Sequence, residues 1–189
     1  MIYHKIPDNK KYDSKKELGY IHVYTGEGKG KTTAALGMML RALGHGHSVL
    51  MVQFLKGAKD LGEVKFHLEN PDKFKITQFA HLEPINLKNP STQDRYLAQE
   101  GLDYAREVMV HDRPDLLVLD EINPAMHYGL IDYREVIDFL DNKHQNTEVV
   151  LTGRYAHPEI IDIADLVTNM ESKKHYFDDE FTPRYGIEH

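Results

Sequence analysis

The chain has 189 residues, of which 41% are apolar, enough to bury one hydrophobic core, so a single domain is the expectation. Its formal charge of −7 and pI near 5.9 argue against a nucleic acid or an anionic membrane surface as main partner, so any small anion must be held by a local feature. With no cysteine, disulfides and thiolate metal sites are excluded; no apolar run is long enough to span a bilayer, and Met1-Ile2-Tyr3-His4-Lys5 lacks a signal-peptide apolar stretch, so a cytoplasmic protein is expected.

Residues 1–19 are polar, with Lys10, Lys11, Lys15, Lys16 and Glu17 and no sustained period, and read as an arm before a domain over 20–189. Tyr20-Ile21-His22-Val23-Tyr24 reads as a strand, and Thr33-Ala34-Ala35-Leu36 through Met39-Leu40 and Ala42-Leu43 as a helix, closed by Gly44-His45-Gly46-His47. Between them lies Thr25-Gly26-Glu27-Gly28-Lys29-Gly30-Lys31-Thr32-Thr33. Strand, glycine loop and helix together are the context of a phosphate-holding loop: the glycines let successive N–H groups face inward, the helix start adds its positive dipole end, and Lys31 adds a full charge. Thr32 stands where a hydroxyl ligand for a phosphate-bound Mg²⁺ is expected. Thr25 occupies the place of the first glycine of the general G-x-x-x-x-G-K-S/T pattern, so the loop is a variant. Glu27, which would repel a triphosphate, is expected to face solvent.

Further strands are expected at Ser48–Gln53, Phe74–Phe79, Leu116–Asp120 and Glu148–Thr152, with a helix before each of the last two. The first of these helices starts at Asn89-Pro90-Ser91-Thr92 and runs to about Val110. That alternation predicts an α/β fold, a mostly parallel sheet flanked by helices, of the P-loop NTPase-like (RecA-like) kind. Asn123-Pro124 and Gly153 fall just beyond strand ends, where ligands bind in such sheets.

Leu116-Leu117-Val118-Leu119-Asp120-Glu121 is a buried strand ending in two adjacent carboxylates. Side chains alternate along a strand, so both acids can face one way only if the chain turns between them. Asp120 is then the outer anchor for Mg²⁺, and Glu121 reaches the metal or the reacting centre. Lys56, after Gln53-Phe54, either helps to place phosphate or line a ligand mouth, or is a strand-end lysine with its ammonium in water. His45 and His47 read as turn residues rather than metal ligands.

These blocks resemble the P-loop type of ATP:cob(I)alamin (corrinoid) adenosyltransferase. The resemblance is carried by Gly28-Lys29-Gly30-Lys31-Thr32-Thr33-Ala34-Ala35, Arg41-Ala42 with Gly44-His45-Gly46, and Gln53-Phe54 with Lys56-Gly57. It continues in order through Val118-Leu119-Asp120-Glu121-Ile122-Asn123, Leu151-Thr152-Gly153-Arg154, Ala164-Asp165-Leu166-Val167-Thr168, Lys174-His175 and Gly186-Ile187-Glu188, and the Thr25 variant is the family's form. It implies attack of a Co(I) corrinoid on the ribose 5′ carbon of ATP, with release of the whole triphosphate from a nucleotide bound in reversed orientation. The loop would hold a leaving group, and cobalt, as nucleophile, needs no protein base. By matching motif, Gly26, Gly28, Lys29, Gly30, Lys31, Thr32 and Thr33 would contact phosphates, Thr32 and Glu121 would hold Mg²⁺ with Asp120 in support, and Arg41 and Arg154 would contact the nucleotide. Lys31 and Glu121 would be catalytic.

The family also prises away the corrinoid's lower axial ligand with aromatic wedges. This chain has no tryptophan. Phe79 lies in the comparable region, as a wedge or as plain core, and His81 falls near the second position; a histidine there could coordinate cobalt and oppose the four-coordinate state, and the mouth that Lys56 could line would be the corrinoid's. His175 approaches the nucleotide or makes a structural hydrogen bond. Family analogy adds a homodimer, an electron-donating reductase, and an amino-terminal arm closing over the corrinoid. Two rivals differ by product: a RecA-like ATPase would release ADP and phosphate without corrinoid, and a ligand carrier would bind without turnover.

Overall fold

The computed structural model describes residues 18–176 and 184–188; the arm expected at 1–19 thus lies almost wholly outside the described residues. Six strands form one sheet: β1 (Ile21–Thr25), β2 (Val49–Phe54), β3 (Phe74–Phe79), β4 (Leu116–Asp120), β5 (Glu148–Thr152) and β6 (Leu166–Asn169). Between them run α1 (Lys31–Gly44), α2 (Gly62–Glu69), α3 (Thr92–His111), α4 (Ile122–His127), α5 (Tyr133–Asp141) and α6 (Pro158–Ile163). Every pairing is parallel and the strand order is β3-β2-β4-β5-β1-β6. The expected mostly parallel sheet flanked by helices is therefore observed.

The central strands β2, β4 and β5 are buried throughout and mostly apolar because both faces are covered. Along β2, Leu50, Val52 and Phe54 enter a core with Leu102, Ala105 and Val108 of α3 and Val136 and Phe139 of α5. Val49 and Met51 point the other way, to Ala35 and Met39 of α1. Each such side chain contributes about 1.5–3 kcal/mol when fully buried. Gly101 lets α3 settle onto the sheet, since a Cβ there would lie 2.7 Å from Phe54 Cε1 and 3.1 Å from Phe79 Cβ.

β3, β4 and β5 have the bounds read from the sequence, and α3 begins where expected: Asp94 N donates to Ser91 Oγ at 3.1 Å and Ser91 N donates to Asp94 Oδ2 at 2.8 Å. Helices α2, α4 and α6 and strand β6 were not expected. Pro124 lies in the first turn of α4, where a missing N–H breaks no helical bond. β6 is exposed along its whole length, so it has no apolar run to betray it. Among the described residues no helix is long and apolar enough to cross a membrane.

Candidate active site

The phosphate loop springs from the carboxyl end of β1. Gly30, at φ 115°, is the cap of α1, and no side chain caps it, so the first N–H groups of this 14-residue helix are left for an anion. The loop is braced from the sheet edge: Met170 N donates to Thr25 O at 2.8 Å and Gly28 N to Met170 O at 2.7 Å. A Cβ on Gly28 would lie 2.8 Å from Met170 O, so a larger residue would push the brace away. Lys31 Nζ donates to Gly26 O at 2.7 Å and Gly28 O at 2.6 Å, folding its buried ammonium over the loop. Burial lowers its pKa from the ordinary lysine value, while Glu121 acts in the opposite sense.

Facing the loop is an acid corner made by topology. Strand β5 separates β1 from β4, which brings Thr152 beside Asp120. The buried Asp120 accepts at Oδ1 from Thr32 Oγ1 at 2.9 Å and Thr152 Oγ1 at 2.7 Å. At Oδ2 it accepts from Gln53 Nε2 at 3.2 Å and Lys56 Nζ at 2.8 Å. Burial alone would raise the Asp120 pKa; Lys56, Thr152 and Thr32 outweigh it and hold the carboxyl below its ordinary value, so Asp120 is ionised at neutral pH. Glu121 has φ 63°, the turn that lets the second acid face the same space; its N–H donates to Thr152 Oγ1 at 3.0 Å. Such a backbone conformation costs about 1–3 kcal/mol and marks a functional corner.

Lys56 completes the corner. Its Nζ donates to Thr32 Oγ1 at 2.8 Å and lies 3.5 Å from Glu121 Oε1. Burial disfavours its charge, but Asp120 and Glu121 more than compensate and its pKa is raised. The preceding Leu55 has φ 60°, and a Cβ on the following Gly57 would lie 2.0 Å from His81 O, so the backbone on both sides is tightly specified.

Loop and corner open onto a cavity of about 1030 Å³, at the upper end of the roughly 300–1,000 Å³ usual for small-molecule sites. Residues 28–33, Lys56, Glu121 and Arg154 line it, with Asp120 beneath and Gly26 in an adjoining hollow behind the loop. Leu36, Leu40 and Phe66 form an apolar flank; His175 and residues 186–188 form another wall, from which Ile187 O accepts a 3.4 Å bond from Lys29 Nζ. Glu27 is exposed as expected, but it pairs with Arg154 Nη1 at 3.0 Å across the mouth.

Other expected site residues are not brought here. Arg41 is exposed on the last turn of α1, about 15 Å along the helix from Lys31. Phe79 rests on Tyr104, with ring centroids 5.4 Å apart, and His81 lies 3.9 Å from Asp94; neither lines the cavity, so in this arrangement Phe79 packs as core. His47 lies 3.6 Å from Asp115 at the sheet's amino end, remote from the loop.

Residues 17–189 match the family model described as ATP:corrinoid adenosyltransferase BtuR/CobO/CobP. The chain belongs to this family. A corrinoid adenosyltransferase of a Sinorhizobium species is 40% identical over 181 residues, covering 91% of this chain and 81% of that protein. One from Pseudomonas aeruginosa is 34% identical over 184 residues (97% and 90%), as is corrinoid adenosyltransferase CobA of Salmonella typhimurium (96% and 91%). A KaiC-like protein from the archaeon Pyrococcus horikoshii shares the fold, with TM-score 0.57 and 20% identity over 83% of this chain and 74% of that one. Within this adenosyltransferase chain, Gln53 and Thr152 are site residues that sequence reading missed. A glutamine inside the buried run Val49-Leu50-Met51-Val52-Gln53-Phe54 was the available signal for the first.

Proposed function

We propose that this chain transfers the 5′-deoxyadenosyl group of ATP to the Co(I) centre of a reduced corrinoid: a cobalt–carbon bond forms, the C5′–oxygen bond breaks, and inorganic triphosphate departs with the electron pair of that bond. The observation that carries this reading is that the phosphate loop with Lys31 and the corner of Asp120 and Glu121 bound one cavity with room for the nucleotide of the two substrates. In a member of the corrinoid adenosyltransferase family, those substrates are ATP and the corrinoid.

The chain's residues act on the leaving group. N–H groups of residues 26–33 other than Gly28, whose N–H is taken by Met170 O, together with the start of α1 and the Lys31 ammonium, oppose the charge that builds on the triphosphate. Lys31 is held over the loop carbonyls and needs only to exchange them for phosphate oxygens. Arg154, released from Glu27, supplies a further positive charge at the mouth.

The donor set fits Mg²⁺, which prefers one or two carboxylates, phosphate oxygens and water. Glu121 and the Thr32 hydroxyl would hold it, with Asp120 orienting Thr32; among the described residues no group of three or more His, Asp or Glu offers a self-sufficient cage. When bound, the ion would add further charge stabilisation on the triphosphate. A homodimer, a reductase that delivers electrons to cobalt, and a cytoplasmic setting complete the proposal on family analogy.

Anaerobic incubation with ATP, Mg²⁺ and chemically reduced cobalamin tests it. The expected products are adenosylcobalamin, seen by absorbance, and inorganic triphosphate. ADP and phosphate formed without corrinoid would replace this reading with an ATPase.

A further inference from the structure

The Lys56 ammonium stands where a cation would be held. Its Nζ lies 2.8 Å from Thr32 Oγ1 and 3.5 Å from Glu121 Oε1, the two side chains assigned above to the metal, and 2.8 Å from Oδ2 of Asp120, which orients Thr32. It comes from the segment just after β2, not from the phosphate loop or the acid strand, and the positive φ of Leu55 and the tight seat of Gly57 aim it into the corner. A strained bulky residue beside a charged one is a feature that a strand-end lysine in water would not need.

We propose that Lys56 is a tethered stand-in for the divalent cation: its ammonium fills the corner and must leave it for the metal to enter. The inference rests on the metal site assigned under the functional proposal. Two cations cannot share those oxygens, because the repulsion between an ammonium and a divalent ion at such distances, out of bulk water, is large. Lys56 therefore needs another anion before it yields, and the triphosphate provides one on the loop side of the same cavity. Metal binding becomes linked to nucleotide binding: the corner stays neutralised when empty, and the arriving triphosphate draws the lysine onto its own oxygens as the ion replaces it. The leaving group then carries both charges.

The test is Mn²⁺ binding to the full chain without nucleotide, followed by the electron paramagnetic resonance of free Mn²⁺. Lys56→Met is expected to bind Mn²⁺ about tenfold or more tightly than wild type, because a competing positive charge is gone. Adding Glu121→Gln should erase the gain, which locates the ion. Lys56→Gln keeps a hydrogen-bonding group for Thr32 and Asp120 and guards against misfolding; it should show the same gain, and Mn²⁺ should raise its melting temperature more than that of wild type. Equal Mn²⁺ affinity of wild type and both variants, or a gain that survives Glu121→Gln, would overturn the proposal. Wild-type adenosyl transfer, assayed in parallel, separates this from failure of the functional reading: transfer without the Mn²⁺ gain sinks the stand-in alone, and the gain without transfer sinks the reaction alone.

Discussion

The sheet buries a carboxylate at each end, and the two are satisfied in different ways. At the carboxyl end Asp120 is held by hydroxyls of Thr32 and Thr152, the Gln53 amide and the Lys56 ammonium, of which Thr32 and Lys56 have side chains that ligands can engage. At the amino end Glu148 accepts from the backbone N–H groups of Gly19 and Tyr20, both at 2.8 Å, and is 2.7 Å from His22 Nε2. Burial would raise the Glu148 pKa, but His22 and the two N–H groups outweigh it and hold the carboxyl below its ordinary value. Both acids are thus kept ionised. The difference lies in the partners: backbone donors are fixed and make a staple, whereas mobile side chains make a site. A buried charge alone does not reveal function; the replaceability of what neutralises it does.

The comparison breaks most visibly at the loop. Lys31→Ala should lower kcat/KM for ATP by about 10³-fold, since it removes a charged donor to the leaving group. Near-wild-type turnover in the coupled triphosphate assay would dissolve the distinction between the two ends. Glu121→Gln should cost about 10²-fold in turnover and raise the Mg²⁺ concentration needed for half-maximal rate, with a smaller change in the melt.

Phe79→Ala should act on the fold, costing about 3 kcal/mol in chemical denaturation and slowing the Co(I)-started and Co(II)-started reactions alike. Selective loss of the Co(II) route would instead assign Phe79 the role of wedge against the lower ligand. Glu148→Gln should cost about 2 kcal/mol while leaving kcat/KM near wild type. Its pKa is depressed on folding, so its contribution is full above the unfolded carboxylate pKa and is lost as pH falls through the folded value. The melting temperature of the variant should accordingly fall less steeply on acidification than that of wild type. Arg154→Ala is the smallest perturbation of stability, under about 1 kcal/mol for an exposed pair, and should appear instead as a raised KM for ATP.

What the sequence made legible was contiguous. The loop from Thr25 to Thr33 carries its chemistry within one segment, β4 and β5 are buried runs that end at polar residues, and the turn at Glu121 follows from two acids in a row on a strand. What it hid depends on which strand lies beside which. Thr152 joins Asp120 only because β5 is inserted between β1 and β4, an order that no local pattern encodes. Lys56 was legible either as a phosphate-placing or mouth-lining lysine or as a strand-end lysine in water, but its reach into the acid corner required the positive φ of Leu55. Arg41 and Phe79 show the converse: the resemblance names them as contacts of the nucleotide and the corrinoid, while helix length and the Gly101 seat place them outside the lining of the phosphate-loop cavity.

The brace of the phosphate loop by Met170 has a bearing on biosynthesis. β1 is made well before β5 and β6, the two strands that flank it among the described residues. A nascent chain still lacking those strands carries the glycine string but not its shape, and long-range pairings of this kind form late in folding. Competence to grip a nucleotide therefore emerges only after β6 has been made, and ribosome-stalled chains ending before residue 166 should fail to bind ATP analogues that chains extending through Met170 and beyond retain.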